Sequence, residues 1–516
     1  MSHFSIPRRG FLAGSAALAA WPRGTLAAPT QGGTLRISVD QAASVLNPLL
    51  TRVNPEYLLA ELLYSGLTRL TQAMTAEPDL ASSWSANADL TEWTFRLRSG
   101  LVFHDGSPCT AKDVAASFAA ILDPKMASPG RTNVGPIANV EAKDALTAVF
   151  HLASPYADMP VALAYTNARI IPAAYANAAG MEKLARAAVG TGPFTLVSFA
   201  PDGEIVVARN PHYYAAPRPY LDRVEMVVYP DPTAQASALI AGDVDLMAST
   251  VPAEYQRLAA AKGVKALRVS SGQFLNVNMR CDEKPFDDMR VRQALALTVS
   301  RPDMVGFVAD GYGTPGNDTP ISPAYHFYDA LPRRLPDIAR AKALLAAAGH
   351  TGGLDLTLIA SDTPSTRTEL GVALRAMAEP AGFRIKVQTM PHATYLAEVW
   401  KKGKFYVGFY NMQATADAIY QLLYTSDAAW NETRWDNKQF DALVAAARRT
   451  TDEAKRQGLY DQAQVLQRSE VPSVIPVFFD LLAAERLWVE GYELNPRAAV
   501  FRLDYVWLGV GAPKRS

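Results

Sequence analysis

Gly311-Tyr312-Gly313-Thr314-Pro315-Gly316 has the GxGxxG spacing that lets a backbone turn approach a dinucleotide pyrophosphate. That chemistry needs a strand before the glycines and a helix opening within them. Here a helical pattern precedes them and Pro315 interrupts them, so the stretch reads as a loop. No Gly-x-Ser-x-Gly turn offers an exposed nucleophile, and no GxxxxGK[ST] loop offers a phosphate cradle. The seven histidines show no HxxxH or CxxC-type ligand spacing, so no metal site is expected. Carboxylates are abundant, and two of them suffice for glycoside hydrolysis. An exported hydrolase without a familiar motif therefore stays open as a reading.

The chain has 516 residues, 49% hydrophobic and 19% charged, which is a globular profile with room for about three structural units. Lys+Arg and Asp+Glu both number 50, so there is no basic footprint and no nucleic-acid partner is expected. With only two cysteines, Cys109 and Cys281, the chain is too large to need a disulfide framework.

Residues 1–28 contain no Asp, Glu or Lys. Arg8-Arg9-Gly10-Phe11-Leu12 leads into a short run of small residues, as in an export signal, and the Arg-Arg-x-Phe-Leu pattern is similar to a twin-arginine leader. Pro7 and Ala13 depart from that pattern, while Arg23 near the end of the leader suits it. Cleavage is expected near Ala27 or Ala28. Removing Arg8, Arg9 and Arg23 leaves a formal charge of about −3 (47 basic against 50 acidic). No other segment has the roughly 20 apolar residues of a membrane span, so the mature protein is expected to be soluble outside the cytoplasm.

The elements that must position any site form a mixed α/β series. Thr34–Val39 alternates as a half-buried strand, and leucines 58, 59, 62, 63 and 67 predict a helix over 55–70. Trp93, Phe95 and Leu97 alternate in a strand, and Leu101–His104 with the Asp105-Gly106 turn predicts a hairpin. Thr110 caps a helix over 111–121, and Pro232 opens one that Gly242 ends. Further strands are expected at 205–208, 224–228, 354–359, 384–387 and 406–409, and helices at 290–299, 339–348, 366–380, 441–449 and 454–466.

Four blocks carry a resemblance. They are Pro78-Asp79-Leu80-Ala81-Ser82-Ser83-Trp84 through Phe103-His104-Asp105-Gly106 to Ala111-Lys112-Asp113-Val114; Gly190-Thr191-Gly192-Pro193-Phe194 with Arg209-Asn210-Pro211; Ala238–Asp245; and Asn278 with Pro285–Leu295. In this order they resemble the large solute-binding family of ABC importers that includes dipeptide, oligopeptide and nickel binders. The resemblance implies a two-lobed periplasmic-binding-protein fold with a hinged cleft, a fold that closes on ligand. Lobe I would comprise 33–273 plus 486–516, with an extra subdomain at 55–180, and lobe II would comprise 274–485. It implies a monomeric, non-enzymatic periplasmic protein without a cofactor. That protein would deliver a small organic, peptide-like ligand to an ABC permease in the inner membrane. A metal chelate or haem is the alternative ligand within the family.

Matching to the family places Arg52, Val53 and Asn54 on the first wall of the cleft. On the second wall it places Tyr410, Asn411, Met412 and Gln413, onward to Asp417, with His392 and Tyr395 beside them and Trp400 in a packing role. Met412 falls where peptide binders carry an amine-binding aspartate. A buried ammonium without a counter-charge costs several kcal/mol, roughly. Asp417 is the alternative partner; otherwise the ligand lacks a free amine and Arg52 pairs with an anionic group. No arginine matches the one that dipeptide binders use for the ligand carboxylate, although Arg367 lies close.

Overall fold

The computed structural model describes residues 28–200 and 203–515. The expected export signal therefore lies outside the described residues, apart from Ala28. Among the described residues no helix is long and apolar enough to cross a membrane.

A single large sheet runs through the molecule. Its path is Phe383–Met390, Leu354–Ser361, Phe405–Tyr410, Val264–Met279, Ser473–Arg486, Leu246–Met247, Thr34–Val39, Arg223–Val228, Ile205–Arg209 and Phe194–Phe199. The two central strands, of 16 and 14 residues, belong to both lobes. Residues 264–270 pair with 486–480 beside the first-lobe strands. From Gln273 onward the same strand pairs with 479–473 on one side and with Phe405–Tyr410 on the other. The register breaks between Ser270 and Gln273, where a bulge bends a strand. Gly272 sits in that break. A Cβ there would lie 2.5 Å from the Tyr325 ring and 2.7 Å from Met412 Cγ, so the crossing has no room for a side chain.

Separate apolar cores define the lobes. One joins Leu35, Ile37, Phe95, Phe150, Leu221 and Leu503. Another joins Leu275, Val407, Leu358, Leu374 and Val474. A third brings Leu70, Met74 and Ala164 of the first lobe against Phe274, Tyr410, Met412 and Tyr420 of the second. The first lobe also carries a four-stranded antiparallel sheet of Ala81–Ala86, Glu92–Leu97, Thr147–Leu152 and Ile137–Ala142. Helix Ala111–Leu122 covers it, and Phe118 and Phe95 meet Phe150 edge-on at 4.9 and 5.3 Å. Thr110 and Asp113 cap this helix, as its sequence predicts.

Two local expectations are corrected and one is shortened. The first helix spans only Asn54–Leu63. Its Leu63 carbonyl accepts the Gly192 N–H at 3.1 Å, which ends the helical ladder, and Thr68–Leu70 becomes a strand instead. The hairpin expected at 101–104 is present but short: around the Asp105-Gly106 turn the Phe103 N–H donates to the Ser107 carbonyl at 2.8 Å and the Cys109 N–H to the Leu101 carbonyl at 2.9 Å, flanking a single bridge of Val102 with Pro108. The GxGxxG stretch is not a plain loop, since Gly313–Pro315 forms a short strand on Ser473–Arg486. Its last glycine answers to packing: a Cβ on Gly316 would lie 2.0 Å from the Ile475 carbonyl oxygen.

Candidate functional site

Where Phe405–Tyr410 ends, the chain turns and opens the helix Ala416–Leu423, whose Thr415 hydroxyl accepts the Ala418 N–H at 3.0 Å. The short first turn points Asp417 into a space of about 440 Å³ between the lobes. Tyr156, Val161, Tyr165 and Asn133 wall it from the first lobe; Gln413, Thr415, Asp417, Gln421 and Arg448 wall it from the second. Asp417 is 2% exposed, and its Oδ1 has no hydrogen-bond partner. The nearest cation is Arg448, whose Nε stands 3.6 Å away, outside hydrogen-bond range. Burial pushes the Asp417 carboxyl up to about 7; Arg448 opposes that rise and Asp158 adds to it.

The same wall holds the lobes together. Arg456 of the second lobe donates to Asp158 of the first at 2.5 Å, with both residues 5% exposed. The Ala157 N–H donates to the Arg448 carbonyl at 2.9 Å, and the Arg448 guanidinium lies 5.1 Å from the Tyr156 ring centroid.

The residues expected from sequence take different places. Gln413 and Asp417 reach the interlobe space, and the Gln413 N–H donates to the Tyr325 hydroxyl at 3.0 Å. Asn54 lines a second, smaller cavity of about 170 Å³ with Ser38, Asp40, Thr250 and Asn495. Val53 is half-buried at the N-cap of its helix. Arg52 is exposed and donates through Nη2 to the Ala127 carbonyl at 3.0 Å. Asn411 is exposed and accepts from Gln273 at 2.7 Å. Met412 packs in the core shared by the lobes, with its sulfur 3.2 Å from the Gly272 N–H.

Tyr395, Tyr410 and His392 gather inside the second lobe. The Tyr395 hydroxyl donates to the Val407 carbonyl at 2.8 Å, and that of Tyr410 donates to Glu432 at 2.6 Å. His392 Nδ1 lies 2.9 Å from the Ser361 hydroxyl. Trp400 packs edge-on against Trp430 at 5.3 Å. Arg367 is 7% exposed between the Tyr395 and Phe409 rings, 5.2 and 5.8 Å away. Burial pushes the nearby Glu432 carboxyl up to about 7.

Sequence reasoning missed Arg448, Tyr156 and Tyr165. They sit on elements far apart in the chain, and nothing local to them signals a cavity. Among the described residues no cluster of three or more His, Cys, Asp or Glu is placed to hold a metal. Cys109 and Cys281 are both free.

Comparison with known proteins extends this picture. The family model of bacterial extracellular solute-binding proteins, family 5, middle region, matches residues 75–433. The glutathione-binding protein GsiB of Escherichia coli K12 is 27% identical over 472 residues, spanning 89% of this chain and 92% of that one. Among solved structures, the binding protein AgaA of A. tumefaciens R10, in complex with agropinic acid, is 26% identical with a TM-score of 0.73. That alignment covers 92% of this chain and 99% of AgaA. HbpA2 of Haemophilus parasuis is 22% identical with a TM-score of 0.84, over 93% and 100% of the two chains, a likeness of fold.

Proposed function

We propose, because this chain belongs to the bacterial extracellular solute-binding proteins of family 5, that it captures a small peptide-like molecule between its lobes and hands it to the permease of an ABC importer. The observation that carries this reading is Asp417, a buried carboxylate without a hydrogen-bond partner on the wall of an interlobe space. A buried charge is costly unless it is paired and hydrogen-bonded; Arg448 at 3.6 Å pairs it without a hydrogen bond, and a ligand ammonium supplies a closer donor. The space of about 440 Å³ suits a molecule of dipeptide to tripeptide size. The relative named for binding glutathione and the AgaA structure in complex with agropinic acid support a small organic ligand.

On this reading Gln413, Asp417 and Arg448 contact the ligand, and Asn54 contacts it from the smaller cavity. Residues 33–273 with 486–516 form lobe I, including the subdomain at 55–180, and 274–485 form lobe II. The lobes turn about the register break at 270–273. The protein acts as a monomer and binds without chemistry. Arg8 and Arg9 direct export by the twin-arginine route, which puts the mature chain in the periplasm.

Native mass spectrometry of the purified protein, followed by denaturation and identification of what is released, tests the reading. One intact amine-bearing organic molecule per chain is expected. An empty protein whose melting is unmoved by dipeptides, tripeptides, glutathione and opines would overturn it. A ligand recovered hydrolysed would point to an enzyme instead.

A further inference from the structure

The smaller cavity, of about 170 Å³, opens at the carboxyl ends of parallel strands in the first lobe. Thr34–Val39 pairs in parallel with Arg223–Val228 on one side and with Leu246–Met247 on the other. The helix Pro232–Ala241 carries the chain between those outer strands. The crevice outside such strand ends is where an open α/β sheet receives a ligand.

Val39, Met247, Leu482 and Phe501 make the wall apolar, and all four are buried. Two amides on the wall are already committed. Gln235 Nε2 donates to the Tyr229 carbonyl at 2.9 Å. Asn495 donates to the Thr71 carbonyl at 3.3 Å and accepts the Arg497 N–H at 2.9 Å. Two hydroxyls are not committed. Ser38 Oγ, on a residue 3% exposed, and Thr250 Oγ1 are enclosed and have no hydrogen-bond partner among the described residues. A hydroxyl buried without a partner is costly, and each of these can both donate and accept.

Charge separates this cavity from the interlobe space. Arg131, Asp417 and Arg448 stand on the walls of that space. Among the described residues, the smaller cavity has one charged residue on its wall, Asp40, and that residue is exposed. A charged group entering the cavity would shed its water and meet no buried counter-charge. The two spaces are neighbours, because Val500 of the smaller one packs in the same core as Val161 of the larger. An apolar cavity of about 150 Å³ accepts benzene, so this one has room for a branched aliphatic group.

We infer that the smaller cavity selects a compact, uncharged side chain of the ligand, with the Ser38 and Thr250 hydroxyls favouring one that carries a hydroxyl of its own. The inference rests on the capture reading above and names the class of molecule captured. A threonine-like or valine-like group is admitted, and lysine-like and glutamate-like groups are refused.

The test follows the Met247 methyl signal by NMR in the full mature chain, assigned through Met247→Leu. The probes are isobutanol, isobutylammonium and isobutyrate, which share one shape and differ in charge. Isobutanol is expected to shift the signal saturably and to bind about tenfold or more tightly than either ion. Thr250→Val, which keeps the shape and removes the hydroxyl, should weaken isobutanol about threefold to tenfold. An unmoved Met247 signal, equal binding of the three probes, or indifference to Thr250→Val overturns the assignment. Calorimetry with trialanine, each alanine replaced in turn by threonine, valine, lysine or glutamate, gives a second readout. At one position threonine and valine should exceed lysine and glutamate by about tenfold. Peptides that bind equally well with a charged side chain at every position overturn the assignment. If no peptide binds, the peptide reading fails alone, and the isobutanol series still decides the cavity.

Discussion

A carboxyl held near 7 is half-charged at neutral pH, and burial puts Asp417 in that state by stripping most of its water. An incoming ammonium must first find the carboxylate ionised. Affinity for an amine-bearing ligand should therefore weaken about tenfold for each pH unit below 7 and level off above it. Titration calorimetry at pH 5.5, 6.5 and 8, with the molecule recovered from the protein, reads this directly. Asp417→Asn should bind weakly and with no such slope; an unchanged slope would mean that another group is responsible. The sequence offered Asp417 only as the alternative to Met412, because matching places residues without showing where they point. Both faces of Phe405–Tyr410 are largely buried, so alternation cannot tell whether Tyr410 looks into the cleft or into the lobe. The fold turns it inward to Glu432. Arg448 left no local signal, because an arginine at a helix end is ordinary until the distant Tyr156 closes over it.

Two elements decide how the lobes meet. The crossing strand needs Gly272, so Gly272→Ala should drive a methyl into Tyr325 and Met412 and cost about 1–3 kcal/mol, the usual range for overpacking. Chemical denaturation measures that loss, and a neutral result would mean that the crossing relaxes freely. The helix Glu453–Glu470 carries Arg456 to Asp158 across the lobes. Arg456→Met leaves a buried aspartate unpaired and should cost about 3–5 kcal/mol, most of it restored by the double substitution with Asp158→Asn. A double-mutant cycle with no coupling would show the pair to be idle. Strands and helices were largely legible from periodicity and caps. Their ends were not, where a distant backbone intervenes. Gly192 stops the first helix at Leu63, although leucine spacing alone carries the pattern to Leu67. Gly313 and Gly316 misled in the same way, since the strand that crowds them, Ser473–Arg486, lies far along the chain.

Across the whole molecule, several buried carboxyls share one titration window. Burial raises Asp417, Glu432 and Glu485 to about 7, from 3.8, 4.5 and 4.5, with Lys265 opposing the rise at Glu485. The folded chain holds protons there that the unfolded chain has already released. Stability should therefore fall as pH rises from about 4.5 to 7. Asp318 and Asp504 work in the opposite sense. Burial acts to raise them, but Arg301 with Arg334, and Arg69 with Arg218, together outweigh it and hold them low, so their contribution is lost only in stronger acid. The melting temperature of the empty protein should be several degrees higher at pH 5 than at pH 8, and Glu432→Gln should flatten that slope; a rise toward pH 8 would contradict both. The two-lobed plan itself was legible, because blocks spread over most of the chain carried it. The path of the sheet was not, because strand order depends on partners hundreds of residues apart. That path has a consequence for synthesis. Leu246–Met247 pairs with Ser473–Arg486, and the first core is completed by Val489, Phe501, Leu503 and Val506. A chain leaving the ribosome therefore carries two unfinished lobes with exposed strand edges until these late segments emerge. The growing polypeptide has to be shielded from aggregation through almost its whole translation.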